Sequence, residues 1–206
     1  MPCGAYRGLD LPATPVTFQT VMGINLLNLK SAVTAIFVFV VFSVPLQAQE
    51  REAELLEQLA EASESDAARL DRELGLLWDR SGSPAMDLLL SRGREAMEAE
   101  NVRLAIEHFT ALTDHAPDFA EGWHARATAY FQANLYGPAL DDLQRALALN
   151  PNNYNAIFGL GVMFREFGDY ERAAQAFGQV LDLHPHHENA TTALEQLRRE
   201  GIGFTL

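Results

Sequence analysis

The sequence predicts an all-α fold, a right-handed solenoid of three tandem helix-turn-helix units, on three observations. First, sliding the chain by 34 residues aligns like residues three times: Leu89, Trp123 and Ile157; Gly93, Ala127 and Gly161; Ala96, Tyr130 and Phe164. The columns continue with Ala105, Ala139 and Ala173; Phe109, Leu143 and Phe177; Leu112, Ala146 and Val180. A period of this length marks stacked helical hairpins, none of which can bury its apolar face alone. Second, each unit carries two apolar stripes at helical spacing, in the middle unit Trp123, Ala127 and Tyr130, then Ala139, Leu143, Ala146 and Leu147. Third, each unit is punctuated. Asn134 and Gly168 align between the stripes, where a left-handed residue would end the first helix. Pro117, Pro151 and Pro185 close the units.

Taken in order, residues 1–48 read as an export signal. Lys30 precedes a 13-residue apolar run from Ala32 to Val44, then Pro45, with cleavage expected after Ala48. The run is short for a spanning helix, which needs about 20 residues. An uncleaved inner-membrane anchor over residues 24–44 is the alternative, and Met22 is an alternative start. The only cysteine, Cys3, lies in this segment, so the chain after the cut has no disulfide.

Residues 49–85 form an N-terminal helical pair. Leu55, Leu56 and Leu59 make one stripe, and Leu70, Leu74, Leu77 and Trp78 the other. Ser63 and Asp66 have capping-box spacing between them. The pair is expected to cover the first repeat, joined to it by Ser81-Gly82-Ser83-Pro84. The repeats occupy 86–119, 120–153 and 154–187. Small residues at 93, 127 and 161 and at 105, 139 and 173 let the two helices of a unit approach closely. Pro138 suits the first turn of a helix, where no amide donor is needed. Residues 188–206 supply a capping helix, with Ala190, Ala193, Leu194 and Leu197 inward, and an apolar tail.

These columns resemble the tetratricopeptide repeat, whose pattern is W-x2-L-G-x2-Y, then A-x3-F, then P. The second unit reads Trp123, Ala127, Tyr130, Ala139, Leu143, Pro151. The third reads Ile157, Leu160, Gly161, Phe164, Ala173, Phe177, Pro185. The first reads Leu89, Gly93, Ala96, Ala105, Phe109, Pro117. Arg92 and Arg126 replace the leucine of the pattern, with stems expected to pack and heads to reach water.

The resemblance implies a groove lined by the first helix of each repeat. By matching positions its residues are Leu90, Arg94 and Met97; His124, Thr128 and Phe131; Phe158, Val162 and Arg165. An apolar floor with Arg94 and Arg165 at the sides suits an extended or helical peptide carrying a carboxylate. Family members that serve heat-shock chaperones grip such a carboxylate with a clamp of Lys, Asn and Arg. Here the matching positions hold Leu90, Arg94, Ala125, Asn155 and Gly159, so that pattern is absent apart from Arg94.

The chain has 15 basic and 28 acidic residues, a net of −13. Residues 49–206 keep 13 basic and 27 acidic residues, a net of −14, and no lysine. Phosphate recognition needs clustered Lys or Arg, so nucleic acid is not an expected partner. No phosphate loop, nucleophile elbow or H-E-x-x-H is present. Asp141 and Asp142 fall on different helix sides with no matching partner. His184, His186, His187 and Glu188 are read as an exposed turn rather than a metal site. No enzyme, cofactor or metal is expected. The expectation is a protein-binding adaptor of the bacterial cell envelope, periplasmic or secreted, that captures a protein or peptide segment. Self-assembly into homo-oligomers, or an accessory role in an envelope enzyme, is the alternative.

Overall fold

The computed structural model describes residues 49–199, so the expected export signal and the 201–206 tail lie outside the described residues. The described residues form nine helices and no strand. They are α1 (residues 49–60), α2 (Glu64–Trp78), α3 (Pro84–Glu98), α4 (Val102–His115), α5 (Ala120–Gln132), α6 (Tyr136–Leu149), α7 (Tyr154–Glu166), α8 (Tyr170–Leu183) and α9 (Glu188–Arg199). Helices α3/α4, α5/α6 and α7/α8 are the three hairpins, and each second helix packs on the first helix of the next unit. None of the described helices is long and apolar enough to cross a membrane.

The glycine column is a packing device. A Cβ built on Gly161 would stand 2.6 Å from Cε1 of Phe177 and 3.2 Å from Cβ of Ala176. Gly93 faces Phe109 in the same way. In the middle unit the ring is replaced by Leu143, and the facing position holds Ala127, which is buried. Glycine thus stands opposite phenylalanine and alanine opposite leucine.

The turn inside each hairpin is set by one left-handed residue. Asn134 (φ 59) and Gly168 (φ 75) take that conformation as the punctuation predicts. Glu100 (φ 57), one period before Asn134, does so too. In each case the following amide reaches back five residues: Asn101 to Ala96 O, Leu135 to Tyr130 O, Asp169 to Phe164 O. This Schellman closure satisfies the last carbonyls and favours glycine at its pivot. Glutamate there is strained, so Glu100→Gly should raise the unfolding free energy by about 0.5–1 kcal/mol, read by urea denaturation.

The solenoid begins at α3, and the sequence columns say why. Glu95 is exposed, whereas its equivalents Ala129 and Met163 are buried. Leu88 is 49% exposed, whereas Gly122 and Ala156 are buried. The later units present small or apolar residues to the helix before them; the first presents charge to solvent.

The N-terminal pair departs from expectation. It docks mainly on the third repeat and its flanking turns rather than covering the first repeat. Trp78 packs edge-on against Tyr154 with ring centroids 5.0 Å apart. Glu52 Oε1 accepts from Trp78 Nε1 at 2.8 Å and from Asn150 Nδ2 at 2.9 Å. Tyr154, fully buried, donates its hydroxyl to Asp71 Oδ1 at 2.7 Å. A buried phenol must find an acceptor, and α2 supplies it; burial and the Asp71 bond both raise its pKa. Ser63 caps α2 as its spacing predicts, accepting from Asp66 N. At the other end α9 buries Ala190, Ala193, Leu194 and Leu197.

Candidate functional site

A 220 Å³ cavity opens between α5 and α7, floored by Leu143 of α6. Of the nine residues expected to line the groove, His124, Thr128, Phe131, Phe158 and Val162 line this cavity. Ala127, Asn155, Gly159 and Met163 complete the wall. The aromatic edges are held from behind. Phe131 packs on Tyr136 with centroids 5.6 Å apart, and Phe158 on Phe177 and His187, both at 5.3 Å. The site is therefore a preformed apolar slot with one imidazole, one hydroxyl and one amide at its rim.

Four expected groove residues are placed elsewhere. Leu90 is 2% exposed and belongs to a core with Ala125 and Ala129 of α5, so it fills the α3–α5 contact. Met97 packs against that same core. Arg165 is half-buried and does not line the cavity. Arg94 is not available as a ligand clamp. It donates two 2.7 Å hydrogen bonds to Asp79 and one of 2.8 Å to Glu121. The chain supplies its own carboxylates where the sequence suggested a partner's.

Glu121 is the hub of this cluster. It is 7% exposed and faces Arg94, His124 Nδ1 at 3.2 Å and Asn153 Nδ2 at 3.5 Å. Burial alone would raise its pKa, but His124 and Arg94 together hold it below the ordinary 4.5. Burial alone would lower His124, yet the Glu121 carboxylate and its hydrogen bond leave it above the ordinary 6.5. The signal for Glu121 was the polar column Asp87, Glu121 and Asn155; nothing in the spacing signalled Asp79.

The linkage has a definite sign. Stability from a raised histidine is fully present below 6.5 and lost as pH rises through the folded value. Stability from Glu121, which is lowered, is present above 4.5 and lost as pH falls through the folded value. Burial lowers His184 and His187, so they work oppositely and cost stability as pH falls below 6.5. Replacing His124→Gln isolates its share. The gap in Tm between the protein and this variant should narrow as pH rises from about 6 to about 8. A gap independent of pH would remove His124 from the account.

Three further expectations are corrected. His184 is buried beside Tyr154 and His187, not on an exposed turn; only His186 of the three is exposed. The head of Arg126 is held by protein groups rather than free in water. It binds Asp142 through two bonds of 2.7 and 2.9 Å and Thr113 Oγ1 at 2.7 Å, and lies over the rings of Trp123 and Tyr130. Asp142 consequently does have a partner. Among the described residues no group of three or more His, Cys, Asp or Glu is arranged to hold a metal ion.

The tetratricopeptide repeat profile matches residues 90–153 and 124–188. A TPR repeat-containing protein of Rhizobium etli is 26% identical over 156 residues, which is 75% of this chain and 76% of that protein. The CTR9 homolog of Arabidopsis thaliana is 30% identical over 129 residues, 62% of this chain but 11% of its own length. Among solved structures, the first TPR of Spaghetti (RPAP3), bound to an HSP90 peptide, superposes with a TM-score of 0.54. It is 25% identical and the match covers 56% of this chain and 91% of that one.

Proposed function

Because residues 90–188 of this chain are tetratricopeptide repeats, we propose that it is a non-enzymatic adaptor capturing a partner segment between its second and third repeats. Repeats of this family are protein-interaction modules, and the Spaghetti domain holds a peptide. The observation that carries the reading is the apolar slot between α5 and α7, where Phe131 and Phe158 stand half-exposed with nothing of the described chain inside. A rigid solenoid loses little entropy on binding, so a slot fixed from behind is suited to a flexible ligand. Partly exposed aromatic anchors in a pocket are typical binding hot spots.

The place of work in this reading is the bacterial cell envelope. The apolar run 32–44 behind Lys30 supports it, and the likeness to a Rhizobium etli protein bears only on the bacterial part of the reading. Fractionation of cells, with N-terminal mass analysis, tests the location; chain starting at Met1 in the cytoplasm would sink it. The groove is tested by crosslinking capture from envelope extract with the full chain and with Phe131→Ala/Phe158→Ala. The expected result is loss of at least one partner, about 10-fold or more, at unchanged helicity. Equal capture by both would move the site elsewhere.

A further inference from the structure

The apolar slot does not stand alone. Asn155, on its rim, also lines a larger cavity of 780 Å³ between α2, the start of α7 and the α8–α9 turn. The charged residues of that cavity are Glu64, Asp71 and Glu188, and no arginine lines it. His184, another of its lining residues, is 6% exposed, and its Nδ1 has no hydrogen-bond partner. Burial pushes both His184 and His187 toward the neutral form, so they add little positive charge to offset the three carboxylates. Among the described residues the only charged partner of Asp71 is His184 Nε2 at 3.9 Å, which burial keeps toward the neutral form, and Glu64 and Glu188 pair with no arginine, so this wall asks for a positively charged hydrogen-bond donor. Of the two cations expected to select a carboxylate, Arg94 is consumed by Asp79 and Glu121, and Arg165 lines neither cavity.

We propose that the groove takes a segment in which a bulky apolar residue is followed by lysine or arginine. The apolar side chain fills the slot between Phe131 and Phe158, and the basic side chain enters the cavity walled by Glu64, Asp71 and Glu188. The two subsites meet at Asn155. This rests on the groove being the partner site, and it reverses the charge that the sequence suggested for the ligand. Asp71 already accepts from Tyr154, so its free oxygen and the exposed Glu64 and Glu188 carry the recognition.

The test is an NMR titration of the full chain with two end-blocked peptides, Gly-Leu-Phe-Arg-Lys-Gly and Gly-Leu-Phe-Gln-Gln-Gly. The basic peptide should shift amides of Phe158, Asn155 and Thr192 and bind about 10-fold tighter than the neutral one. That advantage should shrink as salt is raised. It should also vanish in Glu64→Gln/Glu188→Gln, whose positions are exposed and leave the core intact. Equal affinities, with shifts confined to Phe131 and Phe158, would overturn the basic subsite and leave the groove standing. Shifts in neither subsite with either peptide would overturn both readings.

Discussion

Gly161→Ala should destabilise the protein by about 1–3 kcal/mol, and Phe177→Leu in the same chain should restore much of the loss. Elsewhere in a helix the change would help, since alanine outranks glycine by roughly 1 kcal/mol in propensity. Here the new methyl meets Cε1 and Cδ1 of Phe177 at 2.6 and 2.8 Å, and Ala176 closes the other side at 3.2 Å. Phe177 is fully buried, so its ring has nowhere to retreat. The middle repeat shows the permitted alternative, alanine at 127 facing leucine at 143. Phe177→Leu alone leaves a void and should cost about 1 kcal/mol or more. The double variant should therefore lose much less stability than the sum of the two single losses in a denaturant double-mutant cycle. Strict additivity would mean that the two side chains are not coupled and that the glycine column has another cause.

That covariation also explains what could be read before the structure. The period of 34 was legible because each column reports one contact made three times, and a contact repeated cannot be an accident of composition. Glycine at 93 and 161, proline at 117, 151 and 185, and the left-handed site at 134 and 168 all follow from it. Residues outside the repeat have no such redundancy. Trp78 and Glu52 meet Asn150 and Tyr154, a contact made once across 98 residues between Glu52 and Asn150, so no column announced it. The same reasoning separates the groove residues. Phe131, Phe158 and Val162 lie on two like helices and line the cavity between them. Leu90 and Arg94 belong to the first unit, where α5 and Asp79, just after α2, are the neighbours, and they are spent on core and on Asp79.

Arg126→Ala should cost about 3–5 kcal/mol, because it strands a buried carboxylate. Asp142 is 5% exposed and takes two hydrogen bonds from the guanidinium. Thr113 would keep a partner, donating to Thr110 O at 3.1 Å, so Asp142 is the group left uncompensated. The loss of the cation over Trp123, 4.8 Å from the ring centroid, adds a smaller amount, about 0.5–1 kcal/mol. The chain itself indicates how the pair can be replaced. One period later, Arg126 becomes Leu160 and Asp142 becomes Ala176, so no buried ion pair stands there; the same place is a cleft lined by Leu160, Phe164 and Ala176 together with Arg172, Gln175 and Gln179. Removing both charges at once, as Arg126→Leu/Asp142→Ala, should then cost less than Arg126→Ala alone, since no buried charge is left unpaired. Thermal and urea unfolding of the three proteins decide it. If the double variant were the least stable, the pair would contribute net stability beyond mutual compensation, and the arginine in the repeat's leucine column would be a stabilising device rather than a tolerated departure.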